Sequence, residues 1–120
     1  MRYEFTNEDE LFRNELREWI RNELPEDFDK WQGVDEAGDD FEYSLEVRKK
    51  LANKGWLTMA WPKEYGGQGA SYMKQVIFNE EMSYHRMPGR DGFGAKMLGP
   101  TLMVHGTEEQ KKRFLPPIAN

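Results

Sequence analysis

Few residues of this 120-residue chain are of a type and spacing that could do chemistry. Glu80 and Glu81 form an adjacent carboxylate pair in the otherwise apolar run QVIFNEEMSY. A buried glutamate with a raised pKa can act as a base. Neighbours on a helix point about 100° apart, however, so the two cannot share a proton as a dyad. The pattern instead predicts one carboxylate paired with a cation or a backbone donor and the other in solvent. His85 and His105 are the only histidines; they fall on different helices with no HExxH spacing, and cysteine is absent. That excludes thiolate sites and disulfides and gives no basis for a metal centre. No Ser/His/Asp set or nucleophile elbow is present. Gly66, Gly67 and Gly69 invite a phosphate-loop reading, but no strand precedes them and no Gly-Lys-Ser/Thr follows. Their expected task is to turn the backbone sharply between two helices. From the residues alone we assign no catalytic group and no metal ligand.

The elements that would position any site are helical. Thr6 or Asn7 can cap a first helix over about 8–23, with Glu8, Asp9 and Glu10 in its first turn. Phe12, Leu16, Trp19 and Ile20 share one face of it. Pro25 should push Leu24 out of helical geometry. Residues 25–40, acidic and without a helical stripe, read as a loop pinned by Phe28 and Trp31. A second helix runs from an Asp40 cap to Lys54 with Gly55 beyond its end; Leu45, Arg48, Leu51 and Ala52 share a face that Val47 broadens. Trp56, Leu57, Met59 and Trp61 look buried, and Pro62 can open a short turn that Gly66 or Gly67 ends.

Ser71 can cap a third helix to about Arg86, with Met73, Val76, Ile77, Glu80 and Tyr84 roughly on one side. Met87-Pro88-Gly89 breaks it. The next helix spans about Gly92 to His105. Phe93, Met97, Pro100, Thr101 and Val104 trace one stripe, with Leu98, Leu102 and His105 beside it. A helix apolar almost all round is covered on more than one side, and Pro100 should kink it or mark a break. Gly106 is placed as a left-handed helix end. Thr107-Glu108-Glu109-Gln110 fits a capping box, and Pro116-Pro117 should forbid continuation of the short helix it opens. The fold class is therefore all-α, a helical bundle forming a single domain over 1–120.

Charge is uneven. Residues 1–46 carry 5 Lys+Arg against 16 Asp+Glu, a net −11, and residues 47–120 carry 12 against 6, a net +6. The basic residues are scattered or near helix ends, with no aromatic-interleaved stripe, so nucleic acid is not expected as a partner. No apolar run approaches a membrane span and no signal segment opens the chain, which makes a cytoplasmic protein the expectation.

Two strings carry a resemblance. WPKEYGGQGAS at Trp61–Ser71 and HGTEEQKKRFLPPIA at His105–Ala119 stand in the order and at the separation found in the N-terminal helical domain of acyl-CoA dehydrogenases. Together with the helices between them, the chain resembles that domain from Thr6 to Ala119. The resemblance implies a parent with a middle β domain and a C-terminal helical domain, both absent here. It also implies FAD, an acyl-CoA thioester substrate and a separate electron-transfer acceptor. In similar enzymes a glutamate base takes the α proton while the β hydrogen leaves as hydride to the flavin. That base and most flavin contacts lie beyond this domain, and no residue here matches the base.

What the resemblance implies for this segment is one wall of the acyl cavity. Phe93 and Met97, with Thr101 a turn further, are the expected substrate-facing residues, with plain core packing the alternative. The segment alone should be inactive. An oligomer, homomeric or with a homologous chain, is also implied. Rival readings are a fragment of an acyl-CoA oxidase-like flavoenzyme and a stand-alone helical interaction module.

Overall fold

The computed structural model describes residues 4–24 and 41–120. The 25–40 loop and the Asp40 cap lie outside the described residues. Among the described residues the structure is helical, without a strand.

Helix α1 covers Asn7–Glu23. Thr6 caps it through a complete capping box: the Asp9 N–H donates to Thr6 Oγ1 at 3.2 Å, and the Thr6 N–H donates to Asp9 Oδ2 at 2.9 Å. Leu24 leaves the helix at ψ 125°, as a residue ahead of proline should. Phe12, Leu16 and Ile20 are buried along one face, with Trp19 packed beside them.

Helix α2, Phe41–Asn53, ends at the expected glycine, Gly55 at φ +75°. Of its predicted face Val47 and Leu51 are buried, with Ser44 in line, while Leu45, Arg48 and Ala52 are half-buried. Arg48 donates from Nε to the Gly89 carbonyl at 3.1 Å. Trp56 then enters the core, where Phe12 and Trp19 meet its ring edge-on with centroids 5.8 and 5.5 Å away.

A short 3-10 turn, Lys63–Tyr65, follows Pro62 and ends at Gly66 with φ +92°. Gly67 serves a different need: a Cβ there would overlap the Trp61 carbonyl. The glycine cluster is thus used in folding the chain back on Trp61. Helix α3, Tyr72–Tyr84, starts at Ser71, whose Oγ accepts from the Lys74 N–H at 3.2 Å. It stops two residues short of the predicted Arg86. Its seam carries Ile77, Phe78, Glu81 and Met82 rather than the predicted Val76, Glu80 and Tyr84, which are exposed. The seam tolerates Glu81 because α1, its packing partner, supplies the countercharge.

Beyond the Met87–Gly89 break the predicted single helix divides into a π turn, Gly94–Leu98, and helix α4, Gly99–His105. Gly106 corrects the expectation of a left-handed end. It is extended, φ −74° and ψ 155°, and glycine is needed because a Cβ would sit 2.5 Å from the Leu102 carbonyl oxygen. The Thr107 capping box forms as expected, with both of its hydrogen bonds to Gln110.

Helix α5 runs Glu108–Ala119 and passes through Pro116 and Pro117 instead of stopping there. The prolines deprive only the Lys112 and Arg113 carbonyls of ladder donors. Both residues are exposed, so water can serve those groups. Beyond the prolines the helical pattern resumes, with the Asn120 N–H on the Pro116 carbonyl at 3.2 Å.

Two cores result. The larger joins α1, α2, α3, Trp56 and Met87. The smaller centres on Trp61, Ala95 and Leu115, with Leu102, Met103 and Ile118 packed around it. The molecule is a slab 22 Å thick, about two helix diameters, so its outer helices keep one face uncovered.

Candidate functional site

The carboxylate pair resolves into a structural arrangement close to the expected one: Glu81 is buried, and Glu80 is exposed but keeps a 3.5 Å contact to Arg13 Nη1. Glu81 Oε1 accepts from Arg13 Nη1 at 2.6 Å and from Arg17 Nε at 3.0 Å, and Oε2 lies 3.5 Å from His85 Nε2. Burial alone would raise this carboxyl, but the hydrogen bonds and charges of Arg13 and Arg17 outweigh it and hold it below its ordinary value. A carboxylate so encircled by cations is a poor proton acceptor and a strong tie between α1 and α3. Among the described residues no three His, Asp or Glu side chains gather as a metal site.

The predicted pocket residues stand together on the outside. Phe93 is 74% exposed and Met97 61%, and Thr101 is exposed as well. They form a ridge tied turn to turn: the Met97 N–H donates to the Phe93 carbonyl at 3.2 Å, and the Thr101 hydroxyl donates to the Met97 carbonyl at 2.7 Å. Leu98 and Val104 on the same segment are also exposed. The expectation that this helix is covered on several sides is corrected within this chain, because only Ala95 and Gly99 are buried along the π turn and α4.

A feature that sequence reasoning missed lies beside the ridge. A cleft of about 430 Å³ opens between α2 and α5, lined by Leu45, Leu57, Leu98, Phe114 and Ile118 together with Arg48, Lys49 and Asp91. Its only sequence signal is the apolar side of α5, which the expected stop at Pro116 cut short. Pro117 and Ile118 complete the wall.

The described residues do not by themselves fit a flavin dinucleotide. The glycine cluster serves the turn around Trp61. The start of α5 has its Gln110 N–H taken by Thr107 and carries Glu108 and Glu109, which repel phosphate. What the arrangement offers is a rigid helical support with one apolar face left for something else to cover.

What the fold and these residues define is a helical domain with an uncovered apolar ridge next to a capped junction. The family described as "Acyl-CoA dehydrogenase, N-terminal domain" matches residues 6–120, and the chain belongs to it. It is 40% identical over 111 residues to the acyl-CoA dehydrogenase IpdE1 of Mycolicibacterium smegmatis, covering 89% of this chain and 28% of that protein. It is 37% identical to the acyl-CoA dehydrogenase FadE26 of Mycobacterium tuberculosis, covering 99% and 30%. Among solved structures it is similar to the Tcur3481-Tcur3483 steroid ACAD, with a TM-score of 0.82 at 39% identity, covering 99% of this chain and 30% of that one. It is also similar to the ChsE4-ChsE5 complex of Mycobacterium tuberculosis, with a TM-score of 0.80 at 35% identity, covering 99% and 29%. The chain therefore spans about 30% of the length of these relatives.

Proposed function

We propose that this domain forms the acyl-side wall of an FAD-dependent acyl-CoA dehydrogenase. The parent oxidises an acyl-CoA thioester between Cα and Cβ and passes two electrons to a separate acceptor. The observation that carries this reading is the uncovered ridge of Phe93, Met97 and Thr101, in a chain whose family is that of these enzymes. An apolar ridge facing a cavity orients an acyl chain by excluding water and supplying contact area, without any reacting group of its own. The base and the flavin site belong to the parts of the parent outside this segment.

The substrate proposed is an acyl-CoA with a bulky, steroid-like acyl group, and the assembly one of two different homologous chains. The likeness to a steroid ACAD and to a two-chain complex supports both points. The test is an anaerobic titration of the full-length enzyme, purified with any homologous chain encoded beside it. A flavin spectrum that bleaches with a steroid side-chain CoA, and only weakly with butyryl-CoA, is the expected result. Equal bleaching by both would remove the bulky-substrate proposal. No flavin and no response to either would remove the dehydrogenase reading.

A further inference from the structure

The π turn lies within the ridge and leaves one of its carbonyls to be satisfied from another segment. The Leu98 and Gly99 N–H groups reach back five residues, to the carbonyls of Phe93 and Gly94. The Ala95 carbonyl is thereby left without a ladder donor. Gly99, which would serve it in an α-helix, is engaged with Gly94, and Pro100, which would serve it in a π-helix, has no N–H. A buried carbonyl without a partner is costly. The Trp61 indole takes the vacant position, donating from Nε1 to the Ala95 oxygen at 2.7 Å in a buried bond. The same ring lies so close to Gly99 that a Cβ there would overlap its Cζ2 edge.

We propose that Trp61 is a positioning residue for the acyl pocket. Its indole N–H and ring hold the π register, and that register fixes which way Phe93 and Met97 face. Trp61 is 3% exposed, so its part is played through the turn and not by contact with the acyl group. Closing the π turn to an α turn would swing Phe93 about the helix axis by about 100° relative to Thr101. With the wide turn in place Ala95 and Gly99 face Trp61, and Phe93, Met97 and Leu98 are exposed. The inference rests on the pocket reading given above and adds to it a residue in a different segment, 32 positions upstream of Phe93.

The experiment compares wild type, Trp61→Phe and Trp61→Phe/Pro100→Ala in the full-length flavin-loaded enzyme. Trp61→Phe keeps an aromatic ring but removes the donor. KM for the preferred acyl-CoA should rise about tenfold, the scale of one lost buried hydrogen bond, while kcat and flavin content change less than about twofold. Pro100→Ala restores a backbone N–H near the orphaned Ala95 carbonyl and should recover most of the lost KM, which a packing role alone would not do. If Trp61→Phe does not yield holoenzyme, Gly99→Ala, which pushes the indole edge away, should show the same split between KM and kcat. An active wild type with KM unchanged in Trp61→Phe, or with no recovery in the double variant, overturns the positioning role alone. A wild type that no acyl-CoA reduces overturns the pocket reading and this inference with it.

Discussion

Arg13 Nη1 lies 2.6 Å from Glu81 Oε1, and the two side chains are only 9% and 4% exposed. This pair links the first and third helices across 68 residues of sequence. Arg17 completes the tie at 2.9 Å from a half-exposed position. A buried pair adds little net stability of itself, but removing Glu81 leaves the buried Arg13 cation with only a long 3.5 Å contact to the exposed Glu80. Glu81→Ala is therefore expected to cost about 3 kcal/mol or more. Glu80→Ala, at a 58% exposed side chain, should stay within about 0.5 kcal/mol. Urea midpoints of the two variants check the contrast, and equal losses would contradict it.

The same cluster sets an acid limit. Burial pushes the Glu81 carboxyl up, and the Arg13 and Arg17 interactions bring it below its ordinary 4.5. A carboxylate depressed on folding contributes stability that is fully present above its unfolded value and is lost as pH falls through its folded value. Stability from this group should be flat from neutral pH to about 4.5 and decline below that. Glu81→Gln, already destabilised, should show a shallower decline. Parallel acid limbs in the two proteins would count against the assignment.

Two adjacent glycines should respond to alanine for different reasons. Gly66 sits at φ +92° with open space around its missing Cβ, so Gly66→Ala should cost about 1 kcal/mol of backbone strain. At Gly67 the Cβ would overlap the Trp61 carbonyl and Cβ. Gly67→Ala should be several times worse, measurable as a larger fall in Tm. A milder effect at 67 than at 66 would show that the fold around Trp61 gives way easily.

The uncovered ridge should make the isolated 120-residue chain adhesive. Phe93, Met97, Leu98 and Val104 are each at least half exposed, and contiguous apolar surface of this kind drives association. Light scattering at high concentration should report dimers or larger species, and an apolar dye should bind. A clean monomer that leaves the dye dark would mean the ridge is too dispersed to act as one surface.

The helices were legible in the sequence where local chemistry decides them. The Ser71 cap, the Thr107 box, Gly55 and the Phe12–Leu16–Ile20 face needed only side-chain spacing. The misplaced features depend on tertiary partners. Glu81 takes a core position because Arg13 and Arg17 arrive from another helix. The π register depends on Trp61, a donor from a distant segment. Helix α5 survives Pro116 and Pro117 because Leu115 and Ile118 pack on the smaller core beside Trp61 and Ala95. The resemblance carried by the two motifs anticipated the family, and the spacing of Phe93, Met97 and Thr101 anticipated a shared ridge. Which side of that ridge is covered could not be read from spacing, since a buried stripe and a cavity wall have the same period.

The central claim is that this ridge meets the acyl chain, and covalent mapping tests it most directly. An acyl-CoA carrying a photoreactive diazirine near the far end of its acyl group would be bound to the full-length enzyme, irradiated and located by mass spectrometry. The account predicts label within residues 93–104, concentrated on Phe93, Met97 or Thr101 and suppressed by unlabelled substrate. Label confined to parts of the parent outside this domain, with the ridge unmodified, would contradict it.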